Sequence, residues 1–296
     1  MKTGLPIIEG RFVQGRSVLV RVDLDVTTED NPRVRTAERM VDWLLGNGAL
    51  KIKTIGHRGD FPIVNFLRRK YPQVEWNDGL RDDGREKQNN LEMAQELADG
   101  FDVYIDEAFA VAHREHTSIV ALPKIMKDLG RSVWAGLRFG MEIEKLSSVF
   151  EESGNKLLII GGAKTGDKAV LADKLTEKFD VVLRGGLLPG VETRDDGLDI
   201  SDKSVVEYLK KIAEAQVIVV AGPMGKFEEV NATKGTREIF NAVAKSKAYK
   251  VAGGGDTEVA IAKFGLAEKF NWISVGGGAM LEFLANGTLP GIEALK

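Results

Sequence analysis

Short β-branched, apolar runs alternate with helical patterns along the whole chain. The runs that predict strands lie at residues 17–23, 50–56, 102–108, 156–162, 180–186, 216–222, 248–254 and 272–278. Between them, stretches such as residues 36–48 and 204–215 have the apolar periodicity of helices. Alternation of this kind is typical of parallel sheets connected by helical crossovers, so the sequence predicts an α/β fold made of doubly wound parallel sheets.

The length of the chain indicates more than one domain. A chain of 296 residues, 43% of them hydrophobic, is too long for one ordinary core, and we expect two domains. Residues 132–154 have the pattern of one long helix between two groups of strands, which makes them the best linker candidate. The predicted organisation is an N-terminal domain at 1–135, an interdomain helix at 136–154, a C-terminal domain at 155–275 and a final segment at 276–296.

The overall composition excludes several classes of function. The formal charge of −3 argues against a general nucleic-acid binder, which normally has a strongly basic surface. The chain has no cysteine, so disulfides, thiolate chemistry and cysteine-ligated zinc are excluded. It has no run of 18 apolar residues, and its first ten residues lack the apolar core of a signal peptide. We therefore expect a cytoplasmic protein that binds neither nucleic acid nor membrane.

Arginine and glycine are distributed unevenly along the chain. Residues 1–135 contain 13 of the 17 arginines and all three histidines, whereas the remainder contains 17 of the 24 lysines and 22 of the 33 glycines. Arginine presents a planar fork suited to phosphates and carboxylates, and glycine-rich turns let backbone amides approach a phosphate. The counts are compatible with a small anion in the first half and a nucleotide in the second. Drift in arginine and lysine usage on solvated surfaces explains them equally well.

Three glycine clusters follow predicted strands in the second half. The string GGAKTGDK at 161–168 matches neither the Walker loop nor the dinucleotide fingerprint, yet it places Lys164 and Lys168 one helical turn apart. The string GGGDT at 253–257 predicts a helix N-terminus beside a carboxylate, and GGGAM at 276–280 repeats the arrangement. One such cluster alone is more often a turn or a cap. Three at strand ends in one domain favour a phosphate site.

The chain resembles the phosphoglycerate kinase family over nearly its whole length. The strings that carry the resemblance are RVDLDV, GHRGD, DEAFAVAHREHTS, GGAKTGDK, GPMGKFE, KGT, GGGDT, GGGAMLEFL and LPGIEAL, in the family's order. The resemblance implies two Rossmann-like domains forming a bilobed, monomeric kinase. It implies reversible transfer of a phosphoryl group from 1,3-bisphosphoglycerate to ADP with Mg²⁺, giving 3-phosphoglycerate and ATP in glycolysis. The N-terminal domain would bind phosphoglycerate, the C-terminal domain the nucleotide, and the lobes would close before transfer.

The resemblance also assigns residues. It implies a phosphoglycerate site at Asp23, Asp25, Arg33, His57, Arg81 and Arg114. It implies a nucleotide site at Gly161, Gly162, Lys164, Lys168, Gly185, Glu228, Gly254, Gly255, Asp256, Thr257, Gly277 and Gly278, with Asp256 as the metal ligand. Arg33, Lys164 and Lys168 would be catalytic, because they would neutralise the charge of the group in flight without any covalent intermediate. His116 is expected to have a structural role near the basic site.

Two substitutions depart from the family's pattern beside the anion site. Asp25 replaces an asparagine and Asp60 replaces an arginine. A carboxylate about 4 Å from a phosphate costs on the order of 4 kcal/mol at an effective dielectric constant of about 20, so compensation is required. Arg58 or Arg35 is the candidate, and we add Arg58 to the predicted phosphoglycerate site. The alternative is a non-catalytic nucleotide-binding or regulatory relative of the same fold.

The chain is short for the family. Material is missing between His57 and Arg81 and again between Gly186 and the segment that begins at Gly197. Each gap has the size of a strand–helix unit. Loss of a unit at the edge of a sheet leaves the other crossovers intact, whereas loss of a central unit exposes unpaired backbone. We therefore expect both deletions at sheet edges.

Overall fold

A computed structural model describes residues 4–57, 61–162 and 166–296. The strands are β1 (Ser17–Arg21), β2 (Lys51–Ile55), β3 (Glu75–Asn77), β4 (Val103–Asp106), β5 (Ser132–Ala135), β6 (Lys156–Ile160), β7 (Val181–Arg184), β8 (Val217–Ala221), β9 (Tyr249–Gly253) and β10 (Trp272–Ser274). The helices are α1 (Pro32–Gly46), α2 (Phe61–Lys70), α3 (Leu91–Ala98), α4 (Leu122–Asp128), α5 (Leu137–Glu151), α6 (Gly166–Leu175), α7 (Asp202–Glu214), α8 (Lys234–Lys245), α9 (Gly255–Lys263), α10 (Gly277–Asn286) and α11 (Pro290–Leu295).

Two compact units divide the chain. The N-terminal unit comprises the residues up to Ile143 together with Thr288–Lys296, and the C-terminal unit comprises Glu144–Gly287. The boundary falls inside α5, and the last helix, α11, belongs to the N-terminal unit. The main chain therefore passes from the first unit to the second and returns.

The N-terminal unit is built on a five-stranded sheet of order β3-β2-β1-β4-β5. All its strand pairs are parallel, and Val18 of β1 aligns with Ile52 of β2 on one side and Val103 of β4 on the other. These three side chains are buried, as expected for strands covered by helices on both faces. Strand order reverses at β1, so ligands are expected at the carboxyl ends of β1 and its neighbours.

The C-terminal unit repeats this design with the order β10-β9-β8-β6-β7. Its strand pairs are also parallel, and Leu158 of β6 aligns with Val182 of β7 and Val219 of β8. Leu158 and Val219 are fully buried. The prediction of an α/β fold with two doubly wound parallel sheets is confirmed.

The predicted strands are all present but shorter than their apolar runs, and two strands were missed. β3 has three residues and β5 four, too few for a clear pattern. The prediction of one helix over 132–154 is wrong at its start, because Ser132–Ala135 pair with β4 as an edge strand. Gly136 separates β5 from α5: its N–H donates to Asp106 O at 2.7 Å, which continues the sheet pairing.

Both segments that the sequence marks as shortened lie beside sheet edges. β3, which precedes Arg81, is one edge of its sheet, and β7, which precedes Gly186, is one edge of the other. Within the described ranges, no helix is both long enough and apolar enough to cross a bilayer.

Candidate functional site

The predicted phosphoglycerate residues follow adjacent strands of the N-terminal sheet. Asp23 and Asp25 come after β1, His57 after β2, Arg81 in a single helical turn after β3, and Arg114 after β4. The carboxyl ends of parallel strands lie side by side. These residues therefore lie together along the carboxyl-terminal edge of the sheet, which runs across the strand ends. Arg58, and Asp60 beside it, lie outside the described residues.

The charges around His57 show which groups act together. Burial is the largest cause that lowers the pKa of His57 to about 4, and the positive charges of Arg21, Arg114 and Arg81 lower it further. The carboxylate of Asp25 acts in the opposite direction. His57 is therefore neutral at pH 7, and the positive potential at this edge comes from the arginines.

Arg33 is fixed at the start of α1. The side chain of Asn31 accepts the Arg33 N–H at 2.9 Å and caps the helix, and Pro32 occupies its first position. The guanidinium then lies 3.1 Å from Asp23, between Nη1 and Oδ2. Asp23 also accepts the N–H of Asp25 at 3.3 Å. The structure thus brings Arg33, Asp23 and Asp25 together after β1.

Arg21 is a charged residue at this edge that the motif analysis missed. It ends β1 with no exposed surface, donates from Nε to Ser118 Oγ at 2.9 Å and donates from Nη1 to Val22 O. Its Nη2 has no hydrogen-bond partner in the part of the chain that the structure describes. An arginine inside an otherwise apolar strand run was the signal in the sequence.

Two buried carboxyl groups lie near Arg21. Burial is the main cause that raises the pKa of Asp78 to about 7; Arg21 opposes it, while Asp23 and Asp25 reinforce it. Asp78 packs against the backbone of Gly56, where a Cβ would lie 1.3 Å from its Oδ1. Burial also raises the pKa of Asp106 to about 6, although the Ala108 N–H donates to it at 2.9 Å.

His116 lies against His57 on the same side of the sheet. The two rings stack with centroids 5.1 Å apart. His116 Nδ1 is 3.8 Å from Glu86 Oε1, and Glu86 accepts hydrogen bonds from Ser118 N at 3.0 Å and from Ser118 Oγ at 2.7 Å. Burial, followed by the charges around it, lowers the pKa of His116 to about 4. The family resemblance implies that His116 lies near the basic site, but no pattern in the sequence indicates Glu86.

In the C-terminal unit, the predicted glycines allow backbone segments to approach each other at the strand ends. Gly161 and Gly162 follow β6, and Gly185 follows β7. A Cβ at Gly222, after β8, would lie 2.1 Å from Gly161 O. A Cβ at Gly186 would lie 2.5 Å from Gly162 N. No side chain fits between these segments, which leaves their backbone at the edge of the sheet.

Lys168 and Asp256 converge on Gly162. The Lys168 ammonium donates to Gly161 O at 2.8 Å. From the position that a Cβ would take at Gly162, Lys168 Nζ is 3.2 Å away and Asp256 Oδ2 is 3.8 Å away. The two side chains come from the first turns of α6 and α9, respectively. Lys164, the other predicted catalytic lysine, lies outside the described residues.

A pocket of about 210 Å³ opens beside this pair. It is lined by Gly162, Gly186, Leu187, Gly197, Leu198, Asp199, Pro223, Met224, Gly225, Lys226, Glu228 and Asp256. Of the predicted nucleotide residues, Gly162, Glu228 and Asp256 are among them. Asp199 was missed by sequence analysis; it is buried, accepts the Gly235 N–H at 2.7 Å, and burial raises its pKa.

The first turns of α9 and α10 lie close together. A Cβ at Gly277 would lie 2.6 Å from Gly254 Cα, so these positions require glycine. Gly255 and Gly278 are exposed in the first turns of their helices, where free N–H groups attract anions. Thr257 Oγ1 is buried, and no described residue hydrogen-bonds to it. The arrangement can bind a phosphate chain.

The same residues suit Mg²⁺. The Asp256 side chain is exposed in the first turn of α9, and the buried Thr257 Oγ1 is one residue away. Hard oxygen donors of this kind bind Mg²⁺ when one carboxylate is combined with phosphate oxygens and water. The donor set therefore fits a Mg²⁺–nucleotide complex.

Comparison with known proteins gives the family. The family model described as phosphoglycerate kinase matches residues 77–191 and 188–287, more than half of the chain. The chain belongs to the phosphoglycerate kinase family. This confirms the resemblance that the strings of the sequence carry.

Curated phosphoglycerate kinases align over almost their full length. The chain is 28% identical to the phosphoglycerate kinase of Leptospira biflexa, with 98% of each chain covered. It is 29% identical to that of Bdellovibrio bacteriovorus, with 99% of this chain and 98% of the relative covered. The Leptospira alignment is 394 positions long, whereas this chain has 296 residues, so about a hundred positions have no residue here. The prediction of a shortened family member is confirmed.

Solved phosphoglycerate kinases share the fold. The structure from Pyrococcus horikoshii has a TM-score of 0.81 at 23% identity, with 98% of each chain covered. The structure from Coxiella burnetii has a TM-score of 0.80 at 24% identity, covering 96% of this chain and 97% of that one.

Proposed function

We propose that the protein is a phosphoglycerate kinase, a phosphotransferase with a carboxyl group as acceptor. It transfers the 1-phosphoryl group of 1,3-bisphosphoglycerate to ADP, reversibly and with Mg²⁺. The observation that carries the proposal is the convergence of Lys168 and Asp256 on Gly162, beside a pocket, in a chain of this family. The N-terminal unit, which is also doubly wound, has arginines at its strand ends, as a phosphoglycerate site requires.

We propose that phosphoglycerate binds at the carboxyl ends of β1 to β4. Positive charge for the substrate comes from Arg33, Arg81 and Arg114. The fully buried Arg21 adds positive charge at the end of β1. His57, neutral at pH 7, offers a hydrogen bond rather than a charge. An anion bound beside the histidine raises its pKa from about 4, because it compensates the arginines. Arg58 belongs to the same proposed set, with Asp23 and Asp25 positioning the arginines.

We propose that ADP or ATP binds in the C-terminal unit. The exposed glycines at the starts of α9 and α10 present N–H groups to the phosphates. Glu228 lines the pocket and is exposed, which suits a hydrogen bond to a ribose hydroxyl. Mg²⁺ held by Asp256, when bound, supplies positive charge to the nucleotide phosphates.

Transfer requires no covalent enzyme intermediate. An oxygen of the ADP β-phosphate attacks the phosphorus of the acyl phosphate in line, and the bond from phosphorus to the carboxyl oxygen breaks. 3-Phosphoglycerate leaves as a carboxylate, so no proton is transferred. Lys168, Lys164 and Arg33 neutralise charge on the equatorial oxygens of the group in flight.

We further propose that turnover includes a closure step. The two ligands bind on different units, and the phosphoryl group must travel directly between them. The chain passes between the units within helix α5 and within the C-terminal segment at residues 282–296, and these two segments are the proposed hinge. Small-angle scattering with and without both ligands tests this step, and unchanged dimensions in an active enzyme contradict it. One chain supplies every proposed residue, so we expect a monomer by light scattering.

The direct test is a coupled assay in the ATP-forming direction. The protein, 1,3-bisphosphoglycerate, ADP and Mg²⁺ are mixed, and ATP is measured; the control omits ADP. We expect saturable turnover that EDTA abolishes. Tight ADP binding by calorimetry without ATP formation contradicts the proposal and identifies a nucleotide-binding relative instead.

A further inference from the structure

Three buried side chains of the N-terminal unit form a group with the donors of a transition-metal site. One potential ligand atom from each of His57, Glu86 and His116 lies within 4.8 Å of the other two. Within the residues that the structure covers, they are the single group of three or more such side chains. We propose that these residues bind Zn²⁺, or a divalent ion of similar chemistry, at a site separate from the Mg²⁺ position at Asp256.

The spacing is close to that of a bound ion. Zinc–nitrogen and zinc–oxygen bonds of about 2.0–2.2 Å place tetrahedral ligand atoms about 3.3 Å apart. His116 Nδ1 and Glu86 Oε1 are already 3.8 Å apart. The stacked rings of His57 and His116 lie 5.1 Å apart between centroids. Small side-chain rotations therefore complete three ligands and leave a fourth position open for water.

Both histidines have unused hydrogen-bonding capacity. His57 is 6% exposed and His116 is 9% exposed, yet the Nδ1 atoms of both lack a hydrogen-bond partner among the residues described. A buried polar atom without a partner costs free energy and calls for a ligand. Glu86 is fully buried, and the hydrogen bonds from Ser118 fix its carboxylate beside His116.

The surrounding charges determine which ions the site selects. The positive charges of Arg21 and Arg114 act on both histidines, and Lys87 acts on His116. This potential disfavours every divalent cation by a similar Coulomb term. Imidazole ligation recovers affinity for Zn²⁺, Cu²⁺, Ni²⁺ and Co²⁺ but not for Mg²⁺, which prefers oxygen ligands and water. The site therefore discriminates between zinc-like ions and the magnesium of the reaction.

Metal binding here has a consequence that rests on the proposed function. His57 belongs to the proposed phosphoglycerate site, and coordination turns its ring towards the ion, so that its N–H no longer donates to the substrate. We expect Zn²⁺ to inhibit competitively with 3-phosphoglycerate, and 3-phosphoglycerate to weaken Zn²⁺ binding in return.

The experiment measures binding of the metal alone to the full chain. Metal-free protein is titrated with ZnCl₂ by calorimetry in a phosphate-free buffer containing Mg²⁺, for the wild type, His116→Gln and His113→Gln. His113 is the matched control: its Nδ1 is also buried and unpaired within the described residues, and burial lowers its pKa to about 4, but it is outside the group. We expect one equivalent bound, with affinity reduced at least about tenfold in His116→Gln and unchanged in His113→Gln.

The proposal is overturned if the wild type shows no saturable Zn²⁺ binding, or if His113→Gln weakens binding as much as His116→Gln. If His116→Gln does not fold by circular dichroism, Glu86→Gln and the visible spectrum of the Co²⁺-loaded wild type decide: a tetrahedral spectrum lost in Glu86→Gln supports the site, and an octahedral spectrum contradicts it. Because binding is measured without turnover, its failure is distinct from failure of the proposed kinase activity.

Discussion

At the scale of single residues, burial and neighbouring charge determine what each group at the N-terminal sheet edge can do. Arg21 is fully buried, so its charge acts on His57, His116 and Asp78 through a poorly screened environment. The histidines are neutral near pH 7, whereas the arginines remain charged. The histidines should therefore contribute little to any change in anion binding at this edge as the pH rises from 6 to 8, whereas ionisation of Asp78 should weaken it.

Asp78→Asn is expected to change how stability depends on pH. The pKa of Asp78 is raised to about 7 in the folded protein, so between about pH 4 and pH 7 the folded state holds a proton that the unfolded state has released. The contribution of Asp78 to the free energy of unfolding therefore falls as the pH rises through this window, by a few kcal/mol at most, and the asparagine variant should lose that contribution.

Urea unfolding from pH 5 to pH 8 measures the effect of Asp78→Asn. Asp82→Asn, at an exposed site four residues along the chain, is the control and should retain the wild-type slope. Parallel slopes for Asp78→Asn and the wild type would contradict the assignment of this titration to Asp78.

Lys168→Ala is expected to reduce kcat far more than it weakens ADP binding. The ammonium lies beside Gly161 and Gly162, where a transferring phosphate would gain charge, and removal of one such contact typically costs about a hundredfold or more in rate. Steady-state kinetics measures kcat, and calorimetry measures the affinity for ADP. Lys174→Ala, in the last turn of the same helix, is the control. If Lys168→Ala keeps its turnover and loses only thermal stability, the role of Lys168 is structural and not catalytic.

Arg58→Ala is expected to raise the KM for 3-phosphoglycerate about tenfold or more, because loss of a charged hydrogen bond costs roughly 1.5–3 kcal/mol. Asp60→Arg should do little harm. Steady-state kinetics of both variants test whether the site is rearranged around Asp60. An unchanged KM in Arg58→Ala together with a large gain of activity in Asp60→Arg would indicate a degraded site.

At the scale of elements, the two sheets use their strand ends differently. In the N-terminal unit, polar side chains fill the edge beyond β1 to β4. In the C-terminal unit, backbone segments at Gly161, Gly186 and Gly222 pack on one another, and the free N–H groups lie at the exposed glycines that begin α9 and α10. This difference follows from the uneven distribution of arginine and glycine along the chain.

Gly222→Ala is expected to destabilise the C-terminal unit by about 3 kcal/mol or more. Its φ of +131° is unfavourable for alanine, and the added Cβ would lie 2.1 Å from Gly161 O. Gly265→Ala is the matched control, with φ of +67° and no atom within 4 Å of its Cβ, and should cost only about 1–2 kcal/mol. Chemical denaturation measures the free energy of unfolding of both variants. Equal losses would mean that the positive φ alone, and not the close contact with Gly161, makes glycine necessary at position 222.

At the scale of the whole molecule, the C-terminus completes the N-terminal unit. Helix α11 belongs to that unit, and its Gly291 N–H donates to Ala112 O at 2.9 Å. Ile292 is fully buried and Leu295 nearly so. The last residues of the chain are therefore part of the core that supports the strand ends near Arg114.

Ile292→Ala is expected to destabilise the N-terminal unit selectively. Loss of a fully buried isoleucine typically costs about 2–5 kcal/mol, and the cavity lies in the unit formed by the residues up to Ile143. Hydrogen exchange followed by mass spectrometry should show reduced protection there and unchanged protection in residues 144–287. Glu293→Ala, on the exposed side of the same helix, should leave both units unchanged. Equal loss of protection in both units would show that they unfold together.

The sequence by itself determined the fold class, the family and most of the strands. Short β-branched apolar runs and the glycines after them are local signals, so β1, β2, β4 and β6 to β10 were found from short stretches. β3 and β5 were missed because three or four residues carry too little pattern, and their strand character comes from pairing with β2 and β4.

Tertiary structure alone decided which buried polar side chains contact each other. Arg21 contacts Ser118 across 97 residues of sequence, and Glu86 reaches Ser118 across 32. No local pattern contains these pairs, because parallel crossovers set which strand ends become neighbours. The same is true of protonation: His57 and Asp78 differ from their ordinary pKa values chiefly through burial, a property of the packed unit rather than of any string of residues.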